Sequence, residues 1–391
     1  MNNFEYYTPT RVFFGRDTHK NVGEIIKSYG FEKVLLHYGG GSIHKTGLYD
    51  VITEALRGSG ISFVELGGAQ VNPKVSLVRE GAALCKHEGV EMVLAVGGGS
   101  VIDSAKVIAI SARTDTDPWE FSAKRVAAEC ALPVGVVLTL SASGSETSSS
   151  AVITNEDGKL KRGFNSDFNR PLFAVMNPEL TYTVDKYQTG CGVVDIMMHT
   201  LERYFSPIGD TELTDGIAEG LLKAAVDAGR IAVENPNDYE ARANLMWTGS
   251  LSHSDLTGAG RQVFMTCHQI EHELSGMYDF VAHGAGLSVI FPAWCKYVCA
   301  HNVQRFYRYA VNVWNIEPNL DRPEKTAMEG ILATERYFDE IGMPTRLSQL
   351  GVGIEGIEEM AEKCTFFGAR TLPSYIPLGK QEIIDIFRMC E

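Results

Sequence analysis

Along the first half of the chain, short apolar runs alternate with stretches of helical spacing. Residues 33–38, 61–66, 92–96 and 133–140 are rich in Val, Leu and Ile and read as strands, as do residues 10–15 with their turn and Leu172-Phe173-Ala174-Val175-Met176. Such near-continuous apolar runs suit strands covered on both faces. Between them, residues 18–29 place Val22, Ile25, Ile26 and Tyr29 on one helical face, and residues 48–56, 75–87 and 101–112 repeat that spacing. Strand alternating with helix predicts an α/β unit built on a parallel sheet. From Val184 the pattern changes to long amphipathic or buried helices at 185–205, 212–234, 238–256, 262–276, 284–300, 303–314 and 324–341, with few strand-like runs. Pro178 and the Thr-rich turn from Thr181 to Thr183 mark the change, giving an α/β domain over 1–183 and an all-helical domain over 184–391, with a cleft expected between them. No repeat of solenoid period is visible.

Composition narrows the class. With 45% hydrophobic and 21% charged residues, the chain has the balance of a soluble globular protein. Its 35 Lys and Arg against 49 Asp and Glu give a net charge of −14, which disfavours nucleic acid and anionic membranes as partners. Met1-Asn2-Asn3-Phe4-Glu5 has no basic region leading into an apolar run, and no apolar stretch nears the roughly 20 residues of a membrane span. The eight cysteines are scattered, as reduced thiols are in a cytoplasm, so a cytoplasmic location is expected.

Two glycine clusters sit where strands end and helices begin. Gly97-Gly98-Gly99-Ser100 lets the backbone approach a ligand closely and offers free N–H groups to an anion such as a pyrophosphate. Ser100 is expected to cap the following helix, with Asp103 as its capping-box-like partner. Gly39-Gly40-Gly41-Ser42 follows another strand. Neither matches G-x-G-x-x-G, which argues against an ordinary Rossmann domain, but two such turns on one sheet favour a dinucleotide. The second turn carries no carboxylate to read a ribose 2′-hydroxyl, only backbone N–H groups and the Ser42 hydroxyl, with His44 and Lys45 nearby. If it receives the adenosine ribose, NADP(H) is favoured over NAD. Lys161-Arg162, after the Asn155-Glu156-Asp157-Gly158 turn, reads as a solvated charge pair.

Candidate chemistry gathers in the helical half. Three of the ten histidines, His268, His272 and His283, fall between 268 and 283, and Asp195-Ile196-Met197-Met198-His199 precedes them. Asp195 and His199 are four apart, hence one helical turn apart on one face, and His268 and His272 repeat that spacing. Two such pairs facing each other supply three nitrogens and one carboxylate oxygen, a set suited to a divalent transition metal.

These segments together resemble the group III iron-containing alcohol dehydrogenases, close to the NADPH-dependent butanol dehydrogenase and aldehyde reductase branch. The resemblance runs along the whole chain and rests on Gly97-Gly98-Gly99-Ser100-Val101-Ile102-Asp103-Ser104-Ala105-Lys106, residues 139–146, Asn177-Pro178-Glu179-Leu180-Thr181, Gly192-Val193-Val194-Asp195 with His199, and His268-Gln269-Ile270-Glu271-His272-Glu273-Leu274. It implies a dehydroquinate-synthase-like fold, a nucleotide-binding first domain, and a metal in the helical domain held by Asp195, His199, His268 and His283, with His272 beside the nicotinamide. It further implies coenzyme contacts from Gly39, Gly40, Ser42, Asn72, Gly97, Gly98, Gly99, Ser100, Asp103, Thr139, Leu140, Ser143, Ser145, Lys161, Leu180 and Thr183. NAD-using relatives carry an Asp where this chain has Gly39. The chain departs from the family at residues 278–282, one residue longer than usual before His283.

The activity so implied is interconversion of primary alcohols such as butanol with their aldehydes by hydride transfer to or from NADP(H), the metal acting as a Lewis acid and water, the coenzyme ribose or His272 moving the proton. Three nitrogens and one oxygen fit Fe(II), Zn(II), Co(II), Ni(II) or Mn(II); the resemblance implies Fe(II) first, with Zn(II) or Ni(II) as alternatives. Counting Asp195 as the one anionic ligand predicts a net positive site. Two other readings share the fold: an NAD-dependent polyol dehydrogenase of the glycerol type, and a dehydroquinate-synthase-like lyase, whose phosphate-bearing substrate needs a basic pocket for which Arg203 and Arg261 are the candidates. A small-molecule substrate and a homodimer, paired through a long exposed edge strand near the N-terminus, complete the expectation.

Overall fold

A computed structural model of the chain describes residues 1–207 and 211–391. They fall into two compact units, Tyr7–Val184, and Met1–Tyr6 with Asp185–Glu391. The first contains strands β1 (Arg11–Phe14), β2 (Lys33–Tyr38), β3 (Ser62–Leu66), β4 (Met92–Gly97), β5 (Val134–Leu138), β6 (Ser150–Asn155), β7 (Leu160–Asn165) and β8 (Phe173–Met176). Its helices are α1 (Val22–Ser28), α2 (Ser42–Lys45), α3 (Leu48–Gly58), α4 (Val75–Glu88), α5 (Gly99–Ser111) and α6 (Pro118–Ser122).

Six strands form one parallel sheet in the order β1-β8-β5-β4-β2-β3. Every residue of β4 and β5 is buried, as their apolar runs require. The chain winds outward from β2 to β3, then returns past β2 to lay down β4 and β5 on its other side. Reversal of winding leaves a crevice outside the carboxyl ends of β2 and β4, where α/β sheets bind ligands. The register sets Tyr38 opposite Val96, so Gly39 and Gly97 leave the sheet side by side.

Local differences from the sequence reading have clear causes. Residues 18–21 form a 3-10 turn ahead of α1, and α2 fills part of the segment after Gly41. The N-cap position of α5 is Gly98, so Ser100 lies inside the first turn and caps nothing. Asp103 is no capping partner either: its carboxylate accepts from Ser145 Oγ (2.5 Å) and from the Val152 N–H (3.0 Å). Strands β6 and β7 form an antiparallel hairpin, and Lys161 on β7 is buried rather than solvated. β1 is an edge strand of the sheet but only four residues long, shorter than expected.

The second unit consists of α7 (Lys186–Tyr204), α8 (Glu212–Glu234), α9 (Tyr239–Ser252), α10 (Thr266–Met277), α11 (His283–Val298), α12 (Val303–Trp314), α13 (Pro323–Glu340), α14 (Ile357–Cys364) and α15 (Lys380–Arg388), joined by short 3-10 turns. α14 and α15 extend the helical pattern past the stretches read from the sequence. α7 is buried at every position from Thr189 to Tyr204, which places it at the centre of the core. α11 crosses it closely, because a Cβ at Gly284 would stand 2.1 Å from the Cys191 carbonyl oxygen. No helix among the described residues is long and apolar enough to cross a membrane. All eight cysteines are free thiols.

Candidate metal centre and nucleotide edge

Three helices of the second unit bring the nominated side chains to one point. Asp195 and His199 share a face of α7, His268 lies in the first turn of α10, and His283 opens α11. Around a single oxygen, Asp195 Oδ1, stand His199 Nδ1 at 3.5 Å, His268 Nε2 at 3.6 Å and His283 Nε2 at 3.8 Å. Those separations are too long for hydrogen bonds. They match ligands of one ion: two donors each about 2.1 Å from a metal at near-tetrahedral angles lie roughly 3.4–3.8 Å apart. Asp195, His199 and His268 are buried, and Asp195 Oδ1, His199 Nδ1 and His268 Nε2 have no hydrogen-bond partner among the described residues. Buried polar atoms left so are costly, and a shared cation satisfies all three at once. The residues present therefore fit a divalent metal.

Electrostatics agree with that reading. Burial alone would depress the His268 imidazole, but Glu202 and Asp195 outweigh it and lift its pKa to about 9. A proton held so firmly marks a site whose carboxylates compensate a cation. His199 goes the other way: burial first, then the neighbouring His253, push it well below the usual imidazole range, so it presents a neutral nitrogen. Its ring stacks on that of His253 at 4.0 Å.

Two carboxylates stand behind the histidines. Glu202 completes the α7 face at i, i+4, i+7 with Asp195 and His199, and accepts from His268 Nδ1. It also accepts from the Cys267 N–H (2.5 Å) and the His268 N–H (3.1 Å), capping α10 from outside because Met265, at the N-cap, supplies no side-chain bond. Glu271 accepts from His283 Nδ1. Sequence reasoning passed over Glu202, Glu271 and His253; the i, i+4, i+7 spacing on α7 was the available signal for Glu202, and nothing in the sequence pointed to His253.

His272, the one-turn partner of His268 by spacing, sits differently. Its ring is 6.5 Å from that of His268 and perpendicular to it, and 5.5 Å from that of His283. With Glu271 and His283 it makes a second, partly exposed group of close donor atoms. The segment before His283 is a turn closed by a Val281 N–H bond to the Tyr278 carbonyl (2.8 Å), with Val281 buried and Phe280 turned out to solvent. Arg261 donates to Asp215 and to the Arg203 carbonyl, and Arg203 to the His199 carbonyl with Asp255 alongside, so neither arginine forms an anion pocket.

In the first unit the nominated coenzyme residues line the carboxyl edge of the sheet. Gly39, Gly40 and Ser42 follow β2, Gly97 ends β4, and Gly98, Gly99 and Ser100 follow it. Thr139, Leu140, Ser143 and Ser145 follow β5, and Leu180 and Thr183 follow β8. A Cβ at Gly99 would meet Ser143 Oγ at 2.4 Å and one at Gly98 would meet the Leu140 side chain at 3.0 Å, so glycine permits the two turns to touch. Asn72 follows β3, buried and with a left-handed φ of 57°. Asp103 ties α5 to the Ser145 turn, and buried Lys106 donates to the Ser148 and Ser150 carbonyls (3.1 and 2.8 Å), pinning the same loop. Lys161 lies on β7, where its charge acts on Asp103. Thr183 is exposed.

A parallel sheet with a glycine-lined carboxyl edge, joined in one chain to a helical unit bearing a His/Asp metal cluster, defines a metal- and nucleotide-dependent oxidoreductase. Residues 9–178 match the iron-containing alcohol dehydrogenases, and residues 189–390 match the Fe-containing alcohol dehydrogenase family, C-terminal. The chain belongs to the iron-containing alcohol dehydrogenase family, and membership implies a divalent metal and a nicotinamide coenzyme. It is 41% identical over 389 residues to the NADH-dependent butanol dehydrogenase A of Clostridium acetobutylicum, covering 99% of each chain. It is 36% identical over 377 residues to the NADPH-dependent aldehyde reductase YqhD of Escherichia coli, covering 95% of each. The crystal structure of NADH-dependent butanol dehydrogenase A from Thermotoga maritima superposes with a TM-score of 0.96 at 38% identity, over 100% of this chain and 99% of that one.

Proposed function

We propose that the protein is a metal-dependent, NADP(H)-linked alcohol dehydrogenase working as an aldehyde reductase on primary aldehydes such as butanal. The observation that carries it is the convergence of three histidine nitrogens on Asp195 Oδ1 at 3.5–3.8 Å. Asp195, His199, His268 and His283 would hold the metal, Fe(II) first and Zn(II) or Ni(II) as alternatives. Bound there, the metal supplies a Lewis acid for the carbonyl oxygen, and the coenzyme supplies the hydride. What the chain itself contributes is placement: Asp195 sets the charge and His199, His268 and His283 fix the position of the electrophile. Water, the coenzyme ribose or His272, which is partly exposed and 5.5 Å from the His283 ring, would give the proton that the alcohol oxygen needs.

The coenzyme assignment rests on the turn after β2, which offers Gly39, Gly40 and Ser42 and no carboxylate, with His44 and Lys45 following. The butanol dehydrogenases at 37–41% identity are named NADH-dependent and the aldehyde reductase at 36% is named NADPH-dependent, so the choice of NADP(H) rests on the turn chemistry alone. The unit boundary near 183 and a homodimer belong to the same proposal; the mass in solution tests the latter. Metal analysis of freshly purified protein, joined to butanal reduction with each coenzyme, tests the whole. One equivalent of divalent metal and preference for NADPH are expected. Full turnover without metal would sink it.

A further inference from the structure

Glu202 and Glu271 are buried, at 6% and 0% exposure, and neither belongs to the proposed ligand set. We infer that they are positioning residues for the metal, each holding one histidine in the tautomer and ring orientation that the ion requires. This rests on the ligand assignment proposed above.

The geometry is the same at both places. His268 Nδ1 donates to Glu202 Oε2 and His283 Nδ1 donates to Glu271 Oε2. In each ring the proton sits on Nδ1, so the lone pair is on Nε2. Those are the nitrogens that face Asp195 Oδ1, at 3.6 and 3.8 Å. A carboxylate behind an imidazole also raises its basicity and its strength as a ligand. Glu202 adds a mechanical link: it binds the Cys267 and His268 N–H groups together with the His268 ring, so the start of α10 and the ring move as one body. Space for Glu271 is made by the chain turning back at α11. A Cβ at Gly286 would lie 2.8 Å from Glu271 Cγ, so only glycine there leaves the carboxylate in place. His199 is held by another device, its stack on His253 at 4.0 Å. Two of the three histidines thus depend on carboxylates.

Substituting Glu271→Gln or Glu202→Gln keeps shape and removes charge. The amide presents a neutral oxygen or, turned over, an NH₂ that forces the ring proton onto Nε2 and removes the lone pair. Full-length metal-free protein is titrated with Zn²⁺ against a chromophoric chelator, and its melting is recorded without metal. Affinity should fall about 10–100-fold in each Gln variant, with metal-free melting of E271Q close to wild type. E271D, which keeps the charge, should recover part of the loss. Since Glu202 also caps α10, E271Q is the deciding variant. Zn²⁺ affinity of E271Q within about twofold of wild type overturns the inference. If wild type and D195A bind Zn²⁺ alike, the ligand assignment itself has failed.

Discussion

Gly39→Asp tests the coenzyme assignment most directly. A Cβ at Gly39 would meet the Ala69 carbonyl oxygen at 3.4 Å and Val101 Cγ2 at 3.6 Å, ordinary contacts, and its φ is not left-handed, so a side chain fits without strain. The position is half-buried and its neighbours Gly40, Gly41 and Ser42 are exposed, so the new charge is partly screened. Two unit charges 4 Å apart interact by about 1 kcal/mol in water and about 4 kcal/mol at the dielectric of a protein surface; the exposure here favours the lower half, about 1–2 kcal/mol against a 2′-phosphate. A carboxylate accepting from a ribose hydroxyl adds about 1.5 kcal/mol in favour of NADH. The sum, about 3 kcal/mol, predicts a change of roughly 10²-fold in the ratio of kcat/KM for NADPH to that for NADH.

Initial rates of butanal reduction with each coenzyme give the ratio, which is insensitive to the fraction of active enzyme. Gly39→Ala adds the Cβ without charge and should leave the ratio within about twofold, since the contacts it makes are unstrained. A ratio for Gly39→Asp equal to that for Gly39→Ala would refute the reasoning and remove the turn from coenzyme choice.

Asp195→Ala and His268→Ala should each lose bound metal and butanal reduction together, read by elemental analysis and rates on one preparation; retained metal with lost activity would assign them elsewhere. His37, buried with Nδ1 bonded to the Leu66 carbonyl (2.8 Å) and Nε2 to Ser104 Oγ (2.6 Å), is pushed by burial down to about 4. The unfolded chain then takes its proton first, so this contribution to stability is intact above about pH 6.5 and declines by about 3 kcal/mol as the pH falls to 4. Chemical denaturation of wild type and His37→Gln across that window should show a slope shallower in the variant by that amount, the buried His19 and His199 keeping a remainder in both; equal slopes would refute it. Gly284→Ala drives a Cβ to 2.1 Å from the Cys191 carbonyl where α11 crosses α7, and should cost about 1–3 kcal/mol or more, measured as a lowered Tm; an unchanged Tm would mean the crossing relaxes freely.

The fold was legible where burial is uniform. Strands β4 and β5, buried throughout, are continuous apolar runs, and α7, α8 and α12 are long enough for their spacing to stand out. The β6–β7 hairpin was not, because its strands mix buried and half-buried positions and place the charges of Lys161 and Arg162 in the ladder. The site shows the same limit. Spacing finds partners on one helix, and it found Asp195 with His199. It equally nominated His268 with His272, whereas the nitrogen near Asp195 comes from His283, across the α10–α11 turn. A ligand delivered across a turn has no period; only the resemblance to a family pointed to it.

Charge explains why the supporting carboxylates matter beyond geometry. Asp195 alone would leave a divalent ion at 2 − 1 = +1, the positive site expected from the sequence. With Glu202 and Glu271 each one imidazole away, the count is 2 − 3 = −1. Arg203, buried with its guanidinium against the His199 carbonyl and Asp255, is already engaged by Asp255 and offsets little of this. An ion held there would be bound tightly, because removing it leaves three buried carboxylates with only hydrogen bonds and a proton on His268 to offset them. It would also be a milder Lewis acid, since the field of the carboxylates opposes charge developing on a carbonyl oxygen. Under the proposed function, Asp195, His199, His268 and His283 would hold an ion whose Lewis acidity the two outer carboxylates temper, and a proton donor beside the site would complete the reduction. His272 stands on the exposed side of this cluster, where that proton would be delivered.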